Sequence, residues 1–434
     1  MSRFVNHVEY SYEPSMRWEI TIDLQDVLDI YYEISRLVSK NIWQRQRKSV
    51  FLEISANSLL ENFLIQENSI ALGLCALQDA VEGKNSEKLL NAIRDSKGYS
   101  AVNCCGAVLR VINYMNREER GRFVARFVDA IKNPDKFPGL MLEMRVALNF
   151  GQRGYLMKWP ESGSDTSVDL IIPHEKGLHV ECKAITRDKG RKIHRKEELV
   201  FLGAIKKRFK KDKLPIGDGL LRSVVIKCCK RLPDSGRDLM GLVDCVCKAY
   251  IAKSSLNFND DFFIEYFEGN VKYFSCSEEE KDVISRGLGH IPDSQRLEIA
   301  EGGEGVLISV QSLDEENFVE KIYRTLNDAA KRQLPKERPG LLIAQIESMT
   351  PEELVEVMEF DRSNGYESYF FEVANRIISK PDMAHLIGIN FFSRGVFVSS
   401  DEVSKETGRM YRIWNKGSPW WSETFTKMFD PITG

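Results

Sequence analysis

The segment Leu178–Ala184, LHVECKA, sets an acid and a base, Glu181 and Lys183, two residues apart in an otherwise apolar stretch. In a β-strand successive side chains face opposite ways, so Leu178, Val180, Cys182 and Ala184 share one face. His179, Glu181 and Lys183 share the other. The first face suits packing against helices, and the second presents a carboxylate beside an ammonium. Upstream, Asp169 stands in the run VDLII, Val168–Ile172, on the same side as Ile171. An aspartate inside so apolar a run is costly unless something compensates its charge. A divalent cation held jointly with Glu181 would do so, because two carboxylates with waters and a carbonyl make an ordinary oxygen environment for Mg²⁺. Glu143 is the third carboxylate out of place, on a helical stripe with Leu140, Ala147 and Phe150. Buried there, it needs a partner, and the nearby strand pair can supply one.

The elements that must position these residues follow from periodicity and turn chemistry. Leu140–Phe150 reads as a helix that Gly151 and Gly154 stop, and Tyr155–Trp159 as a short strand. Pro160–Ser167 is a polar turn, Val168–Ile172 a β-branched strand, Pro173–Gly177 a hairpin turn and Leu178–Ala184 the return strand. The local order is α-β-β-β. Regular structure resumes with a strand at Gly305–Val310, a helix from Asp314 to Leu334 and a strand at Leu341–Ile346. Helices through Lys380 and strands near Leu386–Phe392 and Val396–Val398 complete an α/β pattern. Before residue 135 the chain opens with strand-like Val5–Tyr12 and Trp18–Ile22, then turns helical, as in Val27, Ile30, Ile34 and Leu37 or Phe123, Phe127 and Ile131. Segments around Leu59–Ile65, Leu89–Ile93 and Val108–Met115 read alike, and no fixed-period repeat is present.

The motifs LEMRVALNFGQRGY, SDTSVDLII and LHVECKA together resemble the PD-(D/E)XK nuclease family, especially its restriction-endonuclease-like and Holliday-junction-resolvase-like members. The resemblance implies a restriction-endonuclease-like mixed β-sheet core flanked by helices, and a metal-dependent nuclease. It makes Asp169 and Glu181 ligands of Mg²⁺ (or Mn²⁺) and Lys183 the cation that positions or activates the attacking water. Glu143 matches the helix glutamate of many members and joins the metal and catalytic set. The family often carries a Gln or Lys on the helix after the catalytic strand, which points to Gln333, or Lys331, although the family places that helix sooner. One departure is plain: Val168 stands where the family name has a proline. The chemistry suits the residue types, since phosphodiester hydrolysis needs an activated water and positive charge near the phosphate oxygens. The competing reading of the same residues is a solvated hairpin with a salt-bridged face, which leaves Asp169 unexplained.

The chain has 434 residues, enough for two or three domains, and 61 Lys+Arg against 64 Asp+Glu give a formal charge of −3. Nucleic acid must therefore be met by a local patch. Arg187–Lys213 holds twelve Lys and Arg against four Asp and Glu, and it begins directly after the Glu-x-Lys strand. Arg191, Lys192, Arg195, Lys206, Lys207, Arg208, Lys210 and Lys211 are the candidates to bind phosphates. A solvated helix face is the alternative. The stretch Arg409–Trp421 interleaves cations with aromatics and reads as a packed hairpin before it reads as a base-stacking surface, and Glu301–Gly305 is a turn. Nine cysteines, odd in number and without a Cys-x-x-Cys pair, argue against a zinc ribbon and a disulfide framework. No apolar run approaches a spanning helix, and the N-terminus lacks a signal-peptide core. The expected setting is cytoplasmic, with DNA as the favoured partner, no membrane, and a homodimer allowed. The expected division is a helical domain at 1–135, the first half of the core at 136–186, a basic, partly helical insertion at 187–303, and the second half with a C-terminal extension at 304–434. A non-catalytic nucleic-acid-binding or assembly protein and an RNA-directed nuclease are the alternative functions.

Overall fold

The computed structural model describes residues 19–22, 24–83, 91, 96–160, 168–173, 176–186, 188, 191–216, 220–233, 236–269, 273–290, 296–301, 304–313, 318–347, 349–365, 367–399 and 404–428. Val5–Tyr12, Trp18 and most of Leu89–Ile93 lie outside them. The chain divides into two compact units: residues 1–50, 65–189 and 318–434 form the first, and 51–64 with 190–317 the second.

The first unit is built on a five-stranded mixed sheet. Its strands are Leu170–Ile172 (β1), Leu178–Ile185 (β2), Gly340–Ile346 (β3), Leu386–Ser393 (β4) and Met410–Trp414 (β5), which lie side by side in that order. The β1–β2 hairpin is antiparallel, β2, β3 and β4 run parallel, and β5 returns antiparallel to β4. The three central strands read as continuous apolar runs because both faces are covered. Alternation is visible in the packing: Leu341 and Ile343 enter the core on one face, Leu342, Ala344 and Ile346 that on the other.

One face lies under helices at Leu24–Leu37 (α1), Ser69–Glu82 (α2), Ser96–Ile112 (α3), Arg117–Lys132 (α4) and Phe137–Gln152 (α5), whose buried residues share a single core with Leu178, Val180 and Cys182. The opposite face lies under Phe318–Arg332 (α6), Pro351–Asn364 (α7) and Tyr369–Ile378 (α8). The expected separate helical domain at 1–135 is thus corrected. Its apolar stripes are the helical layer that the sheet itself requires. Glu19–Ile22 also pairs with Ser404–Thr407, within the same unit.

The second unit carries its own mixed sheet. Leu221–Cys228 (β6) is central, antiparallel to Phe262–Gly269 (β7) and parallel to Glu304–Ser312 (β8), which forms a hairpin with Arg296–Glu301 (β9). Helices Arg195–Asp212 (α9) and Gly236–Ala252 (α10) pack on one face through Phe201, Ile205, Leu242 and Val246. This corrects the expected insertion at 187–303 in two ways. It is an α/β unit with a core, and it reaches residue 317. The strand expected at Gly305–Val310 belongs here and not to the first sheet, because its partner in the ladder is Leu221–Cys228.

Candidate functional site

The carboxylates meet at the open end of the hairpin, where β1 begins and β2 runs on. The hairpin register pairs Leu170 with Val180 and Ile171 with His179. Asp169 stands just before the Leu170–Val180 ladder pair, outside the strand, where its charge acts on Glu181. Asp169 is anchored at this point because its Oδ2 accepts the Cys182 backbone N–H at 2.8 Å. The alternation expected for LHVECKA holds: Leu178, Val180 and Cys182 enter the core beneath α5, while Ile185 enters the one beneath α6.

Glu181 is 1 % exposed, and its Oε1 accepts from the Lys183 ammonium at 2.5 Å. Its Oε2 meets no donor. Glu143, buried on α5, accepts from Arg126 Nη2 of α4 at 2.6 Å, and its Oε2 also meets no donor. Burial, and then the charge of Asp169, pushes Glu143 up to about 7 and Glu181 up to about 8. Burial also raises Asp169, against the Cys182 N–H, Lys183 and Arg126, which favour its ionised form. Three acids share the place with two cations, so at neutral pH a proton must stay bound unless a further positive charge arrives.

This geometry tests the fit of a divalent ion. Orphaned, buried carboxylate oxygens and a deficit of positive charge are what a hard cation would satisfy, and Asp169 with Glu181 are placed to share one. Glu143 is paired with Arg126 and also feels the Asp169 charge. Among the described residues no group of three or more His, Cys, Asp and Glu side chains is arranged to hold a metal ion. Asp169 and Glu181 are the two carboxylates that would hold such an ion.

Gln333 and Lys331 are not brought to the carboxylates. Leu334, next to Gln333, lies near Gly340 at the start of β3, whereas Glu181 and Lys183 stand beside Leu342 and Ala344 further along it. Lys331 lies 3.7 Å from Asp382. The reason is that α6 runs into β3 through a short connection, so its C-terminal end falls at the strand's beginning. His179 is buried on the site face, its proton affinity lowered by burial and by Arg338. The sequence reading missed Arg126. It lies on an amphipathic helix, and nothing local in the sequence marks it as the partner of a glutamate seventeen residues on. It also missed Arg145, whose Nη1 donates to the buried Gln345 Oε1 at 3.0 Å and ties α5 to β3.

In the second unit, α9 carries most of the basic run. Several of its cations are committed: Arg191 lies 3.6 Å from the buried Glu198, and Arg208 lies 2.7 Å from Asp212 and 3.4 Å from Asp244. Lys206, Lys207, Lys210 and Lys211 are exposed. Lys192 and Arg195 flank the start of α9, capped by His194 and Glu197.

The fold and site define an α/β protein with a buried carboxylate–lysine cluster at the end of a hairpin. No family model, curated protein or solved structure matches the chain. No helix among the described residues is long and apolar enough to cross a membrane.

Proposed function

We propose that the chain is a metal-dependent nuclease of the PD-(D/E)XK kind, with a restriction-endonuclease-like core in its first unit and DNA as the favoured substrate. The observation that carries this reading is the juxtaposition at the open end of the hairpin: Asp169 accepts the Cys182 N–H at 2.8 Å, its charge acts on Glu181, and the Lys183 ammonium lies 2.5 Å from Glu181. Asp169 and Glu181 would hold Mg²⁺ or Mn²⁺. When bound, such an ion lowers the pKa of a coordinated water and neutralises phosphate oxygens. Lys183 then turns its ammonium from Glu181 toward the attacking water and the charge that develops on the phosphate. Arg126 holds Glu143 and keeps roughly half its side chain in solvent, within reach of an anionic substrate.

A second reading is supported by the exposed lysines of α9, Lys206, Lys207, Lys210 and Lys211. On it, the protein binds nucleic acid without cutting. Roles in genome defence, repair or mobile-element processing, and a cytoplasmic setting, belong to the nuclease reading by analogy of fold alone. The test is incubation of wild type and Asp169→Asn with plasmid, linear, branched and single-stranded DNA and with RNA, with chelator, Mg²⁺ or Mn²⁺. Metal-dependent cleavage by the wild type that Asp169→Asn loses is the expected result. No cleavage of any substrate, together with no uptake of Mn²⁺, would leave the binding reading.

A further inference from the structure

The second unit holds a groove of about 420 Å³ lined mainly by apolar atoms. One wall is a stripe of α9, where Val200, Gly203 and Ala204 give way to Lys207, Arg208 and Lys211 at helical spacing. The facing wall is Glu53, Ala56, Asn57 and Leu60, and Met240 of α10 completes the lining. The close approach of the walls is built in. A Cβ at Gly203 would fall 2.3 Å from the Asn57 side chain, whose Nδ2 donates to the Leu199 carbonyl at 3.1 Å. The groove leaves two large apolar residues partly bare, Val200 at 39 % and Met240 at 40 % exposure.

Its charge is specific. Arg208 is occupied by Asp212 and Asp244, and Lys196 holds the Glu53 carboxylate at 3.0 Å. Lys207 and Lys211 are exposed and have no ion-pair partner among the described residues. They are four residues apart, so about 6 Å along the helix axis. The trough itself offers little to read a polar outline, since Asn57 also accepts the Leu59 N–H at 3.2 Å. An apolar trough beside two uncompensated, regularly spaced cations fits a flat, weakly polar face flanked by phosphates.

We propose that this groove binds single-stranded nucleic acid, taking one unstacked base between Val200, Leu60 and Met240 while Lys207 and Lys211 hold adjacent phosphates. A duplex keeps its bases stacked and cannot fill the trough. The inference rests on the nucleic-acid reading above and narrows it to a strand form.

The experiment is fluorescence anisotropy in chelator with a fluorescein-labelled fifteen-nucleotide oligo-dT and a duplex of the same length, each titrated with salt. The single strand should bind about tenfold tighter or more. Replacing both Lys207 and Lys211 by Ala should weaken it and flatten the salt slope by about 1.4, at about 0.7 per phosphate contact. Ala204→Phe should fill the trough and weaken the single strand about tenfold with the salt slope unchanged. Should that variant not fold, Met240→Ser, at a half-exposed position, reads the same apolar contact. Equal binding of single strand and duplex, or single-strand binding untouched by these changes, overturns the proposal. So does uptake of dodecanoate without any oligonucleotide, which would assign the trough to an acyl anion. Groove-dependent binding without cleavage by any divalent ion would sink the nuclease reading alone. Normal cleavage with groove-independent binding would sink the groove alone.

Discussion

Glu181→Gln is the substitution that puts the most weight on the structure. In the folded protein burial and the neighbouring Asp169 push the Glu181 carboxyl up to about 8, from 4.5 in an unstructured chain, and only Lys183 pulls the other way. Between those values the folded state holds a proton that the unfolded state has released. Stability therefore falls as pH rises: the contribution is fully present below about 4.5, is lost progressively toward 8, and is flat above. At pH 7 the gap of about 2.5 units, at 1.36 kcal/mol each, amounts to about 3 kcal/mol that the wild type forfeits. Glutamine has the same shape and no proton to hold, so it escapes the loss. In chelator, Glu181→Gln should match the wild type near pH 5 and exceed its Tm by roughly 5–10 °C at pH 7. With Mn²⁺ the order should reverse. The wild type gains about 4.1 kcal/mol at a thousandfold excess over Kd, more than the about 3 kcal/mol it forfeits, the variant gains nothing, and the wild type's Mn²⁺ affinity climbs with pH toward 8. Thermal melts at about pH 5, 7 and 8.5, with chelator and with Mn²⁺, measure all of this. A variant less stable than the wild type by the same margin at every pH, with Mn²⁺ without effect on either, would mean that Glu181 is an ionised structural partner of Lys183, and the reasoning would fail.

Lys183→Ala should lower cleavage about 10²–10³-fold while shifting Tm by no more than a few degrees, since its side chain lies at the edge of the cluster and not in the packed core; single-turnover assays beside melts decide this. Arg126→Gln should leave the buried Glu143 without its cation, so the loss of stability relative to wild type should grow as pH rises through about 7, where Glu143 must ionise. A pH-independent loss would show that Arg126 acts by packing alone. In the second unit the buried His290, bonded to Ser223 and Ser309 at 2.7 and 2.6 Å, is held down to about 4 by burial. Its folded state refuses a proton that the unfolded state takes below about 6.5, so acidification from pH 7 to 5 should lower the protection factors, taken relative to the intrinsic exchange rate at each pH, in Leu221–Cys228 and Glu304–Ser312. Over the same range the protection factors in Leu178–Ile185 should rise, because the folded state keeps the Glu181 proton while the unfolded state has still released it.

The parts of the fold legible in the sequence are those whose information is local. LHVECKA gave its two faces by alternation, and VDLII its strand by β-branching, though the ladder holds only Leu170–Ile172 and leaves Asp169 just outside it. That detail is what frees the aspartate to cap the Cys182 N–H, and no propensity scale encodes it. Tyr155–Trp159 forms a single bridge, Lys158 to Ile171, in place of a strand, because the hairpin edge it meets is only three residues long. What the sequence did not disclose is partnership across distance. The amphipathic helices before residue 135 and the apolar strand Gly305–Val310 are each legible as elements. Periodicity says that an apolar face must be covered and does not say by what.

The same asymmetry explains the site. Asp169, Glu181 and Glu143 were conspicuous because each is a charge in an apolar pattern, and a buried charge is expensive enough to demand a reason. Arg126 was invisible because a cation on an amphipathic helix is the ordinary case. Its significance arises only when folding brings α4 against α5 and sets a guanidinium 2.6 Å from a carboxylate that has almost no water. Anomaly therefore found the acids and could not find the base that balances one of them. The consequence is electrostatic. With Arg126 spent on Glu143 and Lys183 on Glu181, Asp169 has only a backbone N–H and shared fields to offset its charge. The cluster is one positive charge short whenever all three carboxyls ionise, and that shortage is the feature a divalent ion, or a retained proton, must fill.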